Sequence, residues 1–389
     1  MTTSENPSGI SSGMGSRRFQ GRVLYVARAP FFSGAEQAML SMLRHLDRDQ
    51  VTPELVVGHE TDLVDRVQKL DIPVHLIKLV NRTATSVFRW RRSLRQMHQR
   101  VMAFDPDVIH ANDVPSAATV SVVGAKYGIG RVVHVRWGMT AVEAGWFVRR
   151  GSEYLICISR WIRDRLGNPG HTPLTDTQIE VLADAVDWPL QGTPQRSSVP
   201  PAEPTIGFAG QIIPDKGLDL VIEAMARMSP SMRPKLLIAG QDTQNDGKYR
   251  EKLIQMAERY GLSDRIRWLG FLDDMAQLYG QVTAMVCPSR IEPLGLVPLE
   301  AAGFSIPTLA NRIGGLAETI RDNETGWLIE PTADAWAQAL EEIHNQKQVD
   351  RFGRSAGEWT SNFFSPSIYQ DRLMAIYKQC QIQRVGCDR

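Results

Sequence analysis

The sequence predicts an α/β protein in which two doubly wound domains face a cleft. Short apolar runs suited to buried parallel strands alternate with stretches of helical periodicity. That alternation runs twice, before and after a Pro/Ser-rich connector, Leu190 to Pro204, that has no apolar periodicity. A chain of 389 residues is long enough for two cores. The expected layout is a loose tail at 1–20, a first domain over 21–188 and a linker over 189–204. A second domain over 205–364 and a closing helix over 365–389 follow.

In the first domain, strands are expected at Arg22–Ala27, Glu54–Val57, Val74–Ile77, Val108–His110, Val132–Val135 and Tyr154–Ile158. Helical stretches between parallel strands imply right-handed crossovers, so ligands should collect at the carboxyl ends of the strands. After the first strand, Ser33-Gly34-Ala35-Glu36 leads into a helix carrying Met39, Leu40, Leu43 and Leu46. A strand, a glycine turn and a helix start make a corner that suits phosphate. Two polar clusters stand at strand ends, His110-Ala111-Asn112-Asp113 and His134-Val135-Arg136-Trp137. A lone His at a strand end is more often a satisfied core residue, but two neighbouring clusters point to an acceptor pocket built from Asn112, Arg136 and Trp137, with His110 as a catalytic candidate. Between them, Ser86 to Met102 places Val87, Trp90, Leu94, Met97 and Val101 at helical spacing and fills the rest with Arg89, Arg91, Arg92, Arg95 and Arg100. The expectation is a helix packed on the sheet with a solvated basic face; the sharper alternative is a patch for an anionic membrane or acceptor.

In the second domain, strands are expected at Thr205–Ala209, Leu236–Ala239, Ile266–Leu269, Val282–Val286 and Pro307–Ala310. The first is followed by Gly210 to Gly217, where Lys216 beside a glycine at a helix start is a candidate diphosphate clamp. After Val286, Pro288 and Pro293 force a loop, and Gly295-Leu296-Val297-Pro298 reads as the first turn of a helix. Proline is tolerated there because the first amides lack intrahelical partners; the same amides give an anion-binding end. Glu292 falls in the loop and Glu300 inside the helix, one carboxylate near the amides and one deeper along the wall. Asp273-Asp274 could suggest a metal pair, but adjacent acids starting a helix read better as caps. Ser365 to Gln381 is expected to form an amphipathic helix with Ile368, Leu373, Ile376 and Tyr377 inward.

Composition narrows the field. A net charge of +1 offers no general argument for nucleic acid. The four cysteines have neither zinc-like nor paired spacing, and Cys157 and Cys287 lie in strand runs as buried thiols, which points to a reducing, cytoplasmic protein. No apolar run has the length of a membrane span, and the Ser/Gly-rich tail does not read as a signal peptide.

The run PSRIEPLGLVPLEAAGFSIPTLA, continued by Gly314-Gly315 and a Glu, resembles the glutamate-x7-glutamate signature of the retaining family 4 glycosyltransferases, which have the GT-B fold of two Rossmann-like domains. The resemblance extends from Arg22 to about Gln381. It implies that Glu292 contacts the transferred sugar and Glu300 the ribose. It also places the Gly295, Leu296 and Val297 backbone on the sugar, Lys216 and Gln211 on the diphosphate, and the Gly34 loop near the donor. The implied reaction moves a sugar from a nucleotide diphosphate sugar to a hydroxyl of a glycan or lipid-linked acceptor. Configuration is retained, the leaving phosphate takes the acceptor proton, and neither metal nor other cofactor is involved. The implied setting is glycan, polysaccharide or glycolipid synthesis, and membrane-associated members use a basic first-domain helix at the inner face. The chain departs from the pattern at four places. Ser33 replaces a Gly and Gln211 an Arg; Asp184 and Ala185 replace Asn-Gly ahead of the matching Asp187; and Arg136-Trp137 stand where a His is usual. A catalytically weak GT-B subunit with a binding or regulatory role is therefore a rival, as is a nucleotide-sugar epimerase, which shares the fold but not the glutamate pattern.

Overall fold

The structure is a computed structural model that describes residues 19–80, 85–137, 154–166, 178–187, 203–242 and 247–387. The first sheet contains β1 (Gly21–Ala27), β2 (Val51–Val57), β3 (Val74–Leu76), β4 (Val108–Ala111), β5 (Gly130–Val135), β6 (Tyr154–Cys157) and β7 (Gln178–Val181). Its order is β3-β2-β1-β4-β5-β6-β7, parallel throughout. The strands alternate with α1 (Gly34–Arg44), α2 (Asp62–Gln68), α3 (Val87–Phe104), α4 (Val114–Tyr127) and α5 (Arg160–Leu166). The second sheet contains β8 (Thr205–Ala209), β9 (Lys235–Ala239), β10 (Ile266–Gly270), β11 (Ala284–Cys287), β12 (Thr308–Asn311) and β13 (Gly326–Ile329), in the parallel order β10-β9-β8-β11-β12-β13. Its helices are α6 (Leu218–Arg227), α7 (Lys248–Arg259), α8 (Ala276–Tyr279), α9 (Leu296–Gly303), α10 (Leu316–Thr319), α11 (Ala333–Glu341) and α12 (Gln346–Phe363). The chain closes with α13 (Pro366–Cys387).

Both sheets are covered on both faces, which is why their strands read as continuous apolar runs. In β1, Leu24 and Val26 join the core with Met97 and Val101 of α3, whereas Val23 and Tyr25 turn to Met39 and Leu43 of α1. The second domain repeats the plan, with Ile206 and Phe208 packed on Leu218, Val221, Ile222 and Met225 of α6. Two short edge strands, β7 and β13, are not expected from sequence. Each is four residues long, QIEV and GWLI.

The closing helix, α13, packs on the first domain. It lays Tyr369, Leu373, Ile376, Tyr377 and Cys380 on the first domain's core, a stripe at i, i+4, i+7, i+8 and i+11. Each such side chain contributes roughly 1.5–3 kcal/mol by burial. The expected inward Ile368 is instead exposed and Tyr369 takes its place. Phe19, assigned to the tail, is core: its ring packs on Tyr377 with centroids 5.5 Å apart. The rest of the predicted tail, 1–18, and linker residues 189–202 lie outside the described residues.

On α3 the buried positions are Ser93, Met97, Val101 and Phe104, with Val87, Trp90 and Leu94 half-buried. Arg100 does not belong to the free basic face, because its guanidinium Nε lies 3.1 Å from Glu54 Oε2. Arg89, Arg91, Arg92 and Arg95 stay exposed.

Candidate active site

β11 delivers the chain to the cleft at Cys287, and the loop that follows turns into α9 through Gly295, whose φ is +98°. Lys216 Nζ donates to Glu292 Oε2 at 2.6 Å, and Ser289 Oγ donates to the same oxygen at 3.2 Å. Lys216 ends the single 3-10 turn Pro214–Lys216 after β8, and the two loops abut at Gly217, where φ is +68° and a Cβ would overlap the Pro288 carbonyl oxygen. Burial alone would depress the Lys216 ammonium, but Glu292, with Cys287 and Asp215 nearby, outweighs it and holds its pKa above the ordinary value. Burial, with Glu292 beside it, pushes the Cys287 thiol up to about 12 and keeps it protonated. Gln211 is half-buried just after β8. Arg290 and Arg312, candidate helpers for the diphosphate, are both committed elsewhere. Arg290 pairs with both Asp219 oxygens at 2.9 and 2.8 Å, and Arg312 with Asp322. Asp274 acts as a local cap, its Oδ1 accepting the Ala276 N–H at 2.9 Å.

Glu300 lies inside α9, half-buried, and its Oε2 accepts the Tyr279 hydroxyl at 3.1 Å. Burial pushes its carboxyl up to about 7, against the smaller downward pull of the Tyr279 bond. A carboxyl that holds its proton more tightly when folded than its ordinary 4.5 makes the protein less stable as pH rises from 4.5 through 7. Glu300→Gln is therefore expected to stabilise the chain at pH 8 by roughly 1–3 kcal/mol and to change little at pH 5. Thermal melts at the two pH values check this; equal shifts at both would contradict it.

The first domain's Gly34 corner faces this loop. A Cβ built on Gly34 would stand 3.7 Å from Leu296 Cδ1, so α1 and α9 meet head to head across the cleft. Glu36 folds back onto its own helix start, where Oε2 accepts the Ser33 N–H at 3.0 Å. The acceptor cluster needs correction. His110 is fully buried: Nδ1 bonds the Tyr377 hydroxyl at 2.5 Å and Nε2 bonds His134 Nδ1 at 2.7 Å. Burial, helped by Arg136, drives its pKa down to about 3, so His110 is a neutral residue packed in the core under α13 and offers the cleft no surface. Asn112 is buried as well, its Nδ2 donating to Ala35 O at 3.2 Å while its backbone and side-chain oxygens each accept from Arg136 at 3.1 Å. Arg136 completes its set with a buried ion pair to Asp184. Asn112 and Arg136 are thus brought together as an internal strut, and among the predicted acceptor residues only Trp137, 57% exposed, presents a surface. Phe31, 58% exposed beyond the carboxyl end of β1, is a rim residue that the sequence does not single out.

Two further residues join the two domains at and beside the Glu292 loop. Ser159 Oγ donates to the Pro293 carbonyl at 2.6 Å, and Glu318 accepts the Arg160 and Trp161 N–H groups, each at 2.9 Å. Glu318 closes the glutamate motif run, a visible signal with no role attached to it; Ser159 carries no signal in the sequence.

Two parallel α/β domains with a final helix crossing back define the GT-B class. The family model described as Glycosyl transferases group 1 matches residues 193–359, and that described as Glycosyl transferase 4-like domain matches 33–173. The chain belongs to family 4 of the GT-B glycosyltransferases. It is 31% identical over 242 residues to a glycogen synthase of Mycobacterium tuberculosis, covering 57% of this chain and 56% of that protein. It is 35% identical over 147 residues to a D-inositol 3-phosphate glycosyltransferase of Nocardia farcinica, covering 36% and 32%. The chain thus spans about half the length, or less, of these curated relatives. HepE of Anabaena, solved with UDP and glucose, superposes with a TM-score of 0.79 at 18% identity, covering 92% of this chain and all of that one.

Proposed function

We propose that this protein is a retaining glycosyltransferase that moves a sugar from a nucleotide diphosphate sugar to an acceptor hydroxyl. The observation that carries this reading is the Lys216–Glu292 pair set at the head of α9, facing the Gly34 corner of the other domain. In this reading the bond between the anomeric carbon and the diphosphate oxygen breaks, and the leaving charge falls on Lys216, the α9 amides and the neutral Gln211. Preorganised donors aimed at developing charge are commonly the largest catalytic contribution. Glu292 addresses the sugar and Glu300 the ribose. The acceptor oxygen attaches on the same face and its proton passes to the leaving phosphate. Because fixed cationic and amide groups supply the positive charge, turnover is expected to survive a chelator. The UDP and glucose bound to HepE support a uridine nucleotide as the first to try.

Thermal stabilisation by UDP, GDP and ADP tests the reading, followed by nucleotide diphosphate release from the matching donor. A diphosphate at a hundred times its Kd adds about 2.7 kcal/mol. No stabilisation by any of the three and no release from any donor would overturn it.

α3 also supports contact with an anionic membrane. Arg91, Arg95 and Lys126 border a groove of about 680 Å³ beside the exposed Met102, and Phe88 is 85% exposed at the same helix's start. No helix among the described residues is long and apolar enough to cross a membrane. Each basic residue near an anionic surface contributes about 1 kcal/mol. Replacing Arg91, Arg92 and Arg95 by Gln is expected to release the protein from anionic vesicles while donor turnover persists. Absence of vesicle sedimentation by the parent at low salt would remove this placement at an inner membrane face.

A further inference from the structure

We propose that Ser159 and Glu318 are positioning residues for Glu292, holding its loop through a contact that exists only when the two domains are docked. The inference rests on the reading of Glu292 as the carboxylate that addresses the donor sugar.

The geometry fixes the backbone on both sides of the Glu292–Pro293 peptide. On the second domain's side, the Gly315 N–H donates to the Glu292 carbonyl at 2.9 Å. The next carbonyl, that of Pro293, receives the Ser159 hydroxyl from the first domain at 2.6 Å. Proline's ring fixes its own φ, so ψ is the remaining soft torsion at Pro293, and this hydrogen bond holds it. Ser159 is itself set: it is 1% exposed, and its Oγ accepts the Ile162 N–H at 3.2 Å.

Glu318 fastens the two domains a second time, beside the Glu292 loop, on the helix that follows the Gly315 contact. It lies in α10, three residues beyond Gly315, and its two oxygens separately accept the Arg160 and Trp161 N–H groups at the start of α5. Charge-assisted bonds of this kind are stronger than neutral ones, and the second fixes orientation as well as distance. Leu294, the residue after Pro293, is buried in the first domain's core, so the loop is wedged there apolarly too. Interface packing alone would need only Leu294; a buried hydroxyl aimed at the carbonyl beside the reactive carboxylate sets a torsion. A misplacement near 1 Å at a reacting group costs about a hundredfold in rate.

The test compares Ser159→Ala, Ser159→Thr and Glu318→Ala with the parent. Ser159→Ala and Glu318→Ala are expected to lower kcat for donor turnover by about ten- to a hundredfold. Affinity for the nucleotide diphosphate alone should change by less than about threefold, because a ligand without the sugar does not engage Glu292. Ser159→Thr, which keeps the hydroxyl, should recover most of kcat. Parent-like kcat in both alanine variants would overturn the proposal, as would a fall in diphosphate affinity and melting temperature that matches the fall in kcat. Amide hydrogen exchange supplies a readout that does not depend on turnover. Residues 290–296 should exchange faster in both alanine variants, while β9 stays protected. If the parent turns over no donor, the glycosyltransferase reading fails, and exchange still decides: unchanged protection of 290–296 in both variants would overturn the positioning role.

Discussion

Lys216→Ala is expected to lower nucleotide diphosphate release by about a hundredfold or more. The substitution removes the ammonium 2.6 Å from Glu292 and leaves that carboxylate, with only 14% of its side chain exposed, to the Ser289 hydroxyl among the described side chains. Losing a charge-assisted donor to the leaving group costs roughly 3 kcal/mol at its upper end, about a hundredfold in rate. No neighbour can replace the charge, since Arg290 is held bidentately by Asp219 and Arg312 by Asp322. Gln211→Arg should then leave activity unchanged or raise it modestly, because a guanidinium adds charge and a second hydrogen bond where an amide gives one neutral bond. A coupled assay of diphosphate release checks both, and full activity in Lys216→Ala would sink this account of the leaving group.

Lys216 and Glu292 are legible in the amino-acid sequence and the acceptor side is not, for a physical reason. Both lie just past an apolar strand run and next to a glycine or proline, so local rules place them at the carboxyl ends of strands β8 and β11. Those strands are hydrogen-bonded neighbours, and the two residues meet although 76 positions apart. His110 obeys the same local rule, being at the end of β4, yet the rule does not foresee its burial. What decides its fate is Tyr377, 267 positions away on α13, which covers it. A strand-end pattern cannot reveal which side chain will close over it. The strut joining Asn112, Arg136 and Asp184 is hidden likewise, because Asp184 approaches from the stretch after β7, an edge strand not expected from the sequence. Ser159 is a further case: it stands in no motif, and its partner carbonyl lies 134 positions on, in the other domain. Local periodicity thus conveys the sheets and the ends of their strands, whereas contacts made by crossing helices and by domain docking need the packed chain.

Gly314→Ala is expected to damage both stability and turnover, and the pairing of the two effects is what identifies its role. Gly314 has a φ of +53°, the left-handed region in which an alanine costs about 1 kcal/mol. An added Cβ would also overlap the Glu292 carbonyl oxygen, the same oxygen that accepts the Gly315 N–H at 2.9 Å. A backbone carbonyl cannot swing aside by changing rotamer, so the Glu292 peptide must move and its hydrogen bond must lengthen. Strain plus a weakened bond should total roughly 2–4 kcal/mol of stability, read as a fall of several degrees in Tm. Donor turnover should drop by about a hundredfold as Glu292 leaves its place beside Lys216. Gly261→Ala supplies the control. Its φ is +62°, but nothing lies within 4 Å of the added Cβ, so it carries the torsional cost without the collision. It should lose about 1 kcal/mol and keep its turnover. If Gly314→Ala melts like Gly261→Ala and releases diphosphate like the parent, then the close approach at Gly314 is not what holds Glu292 in the cleft.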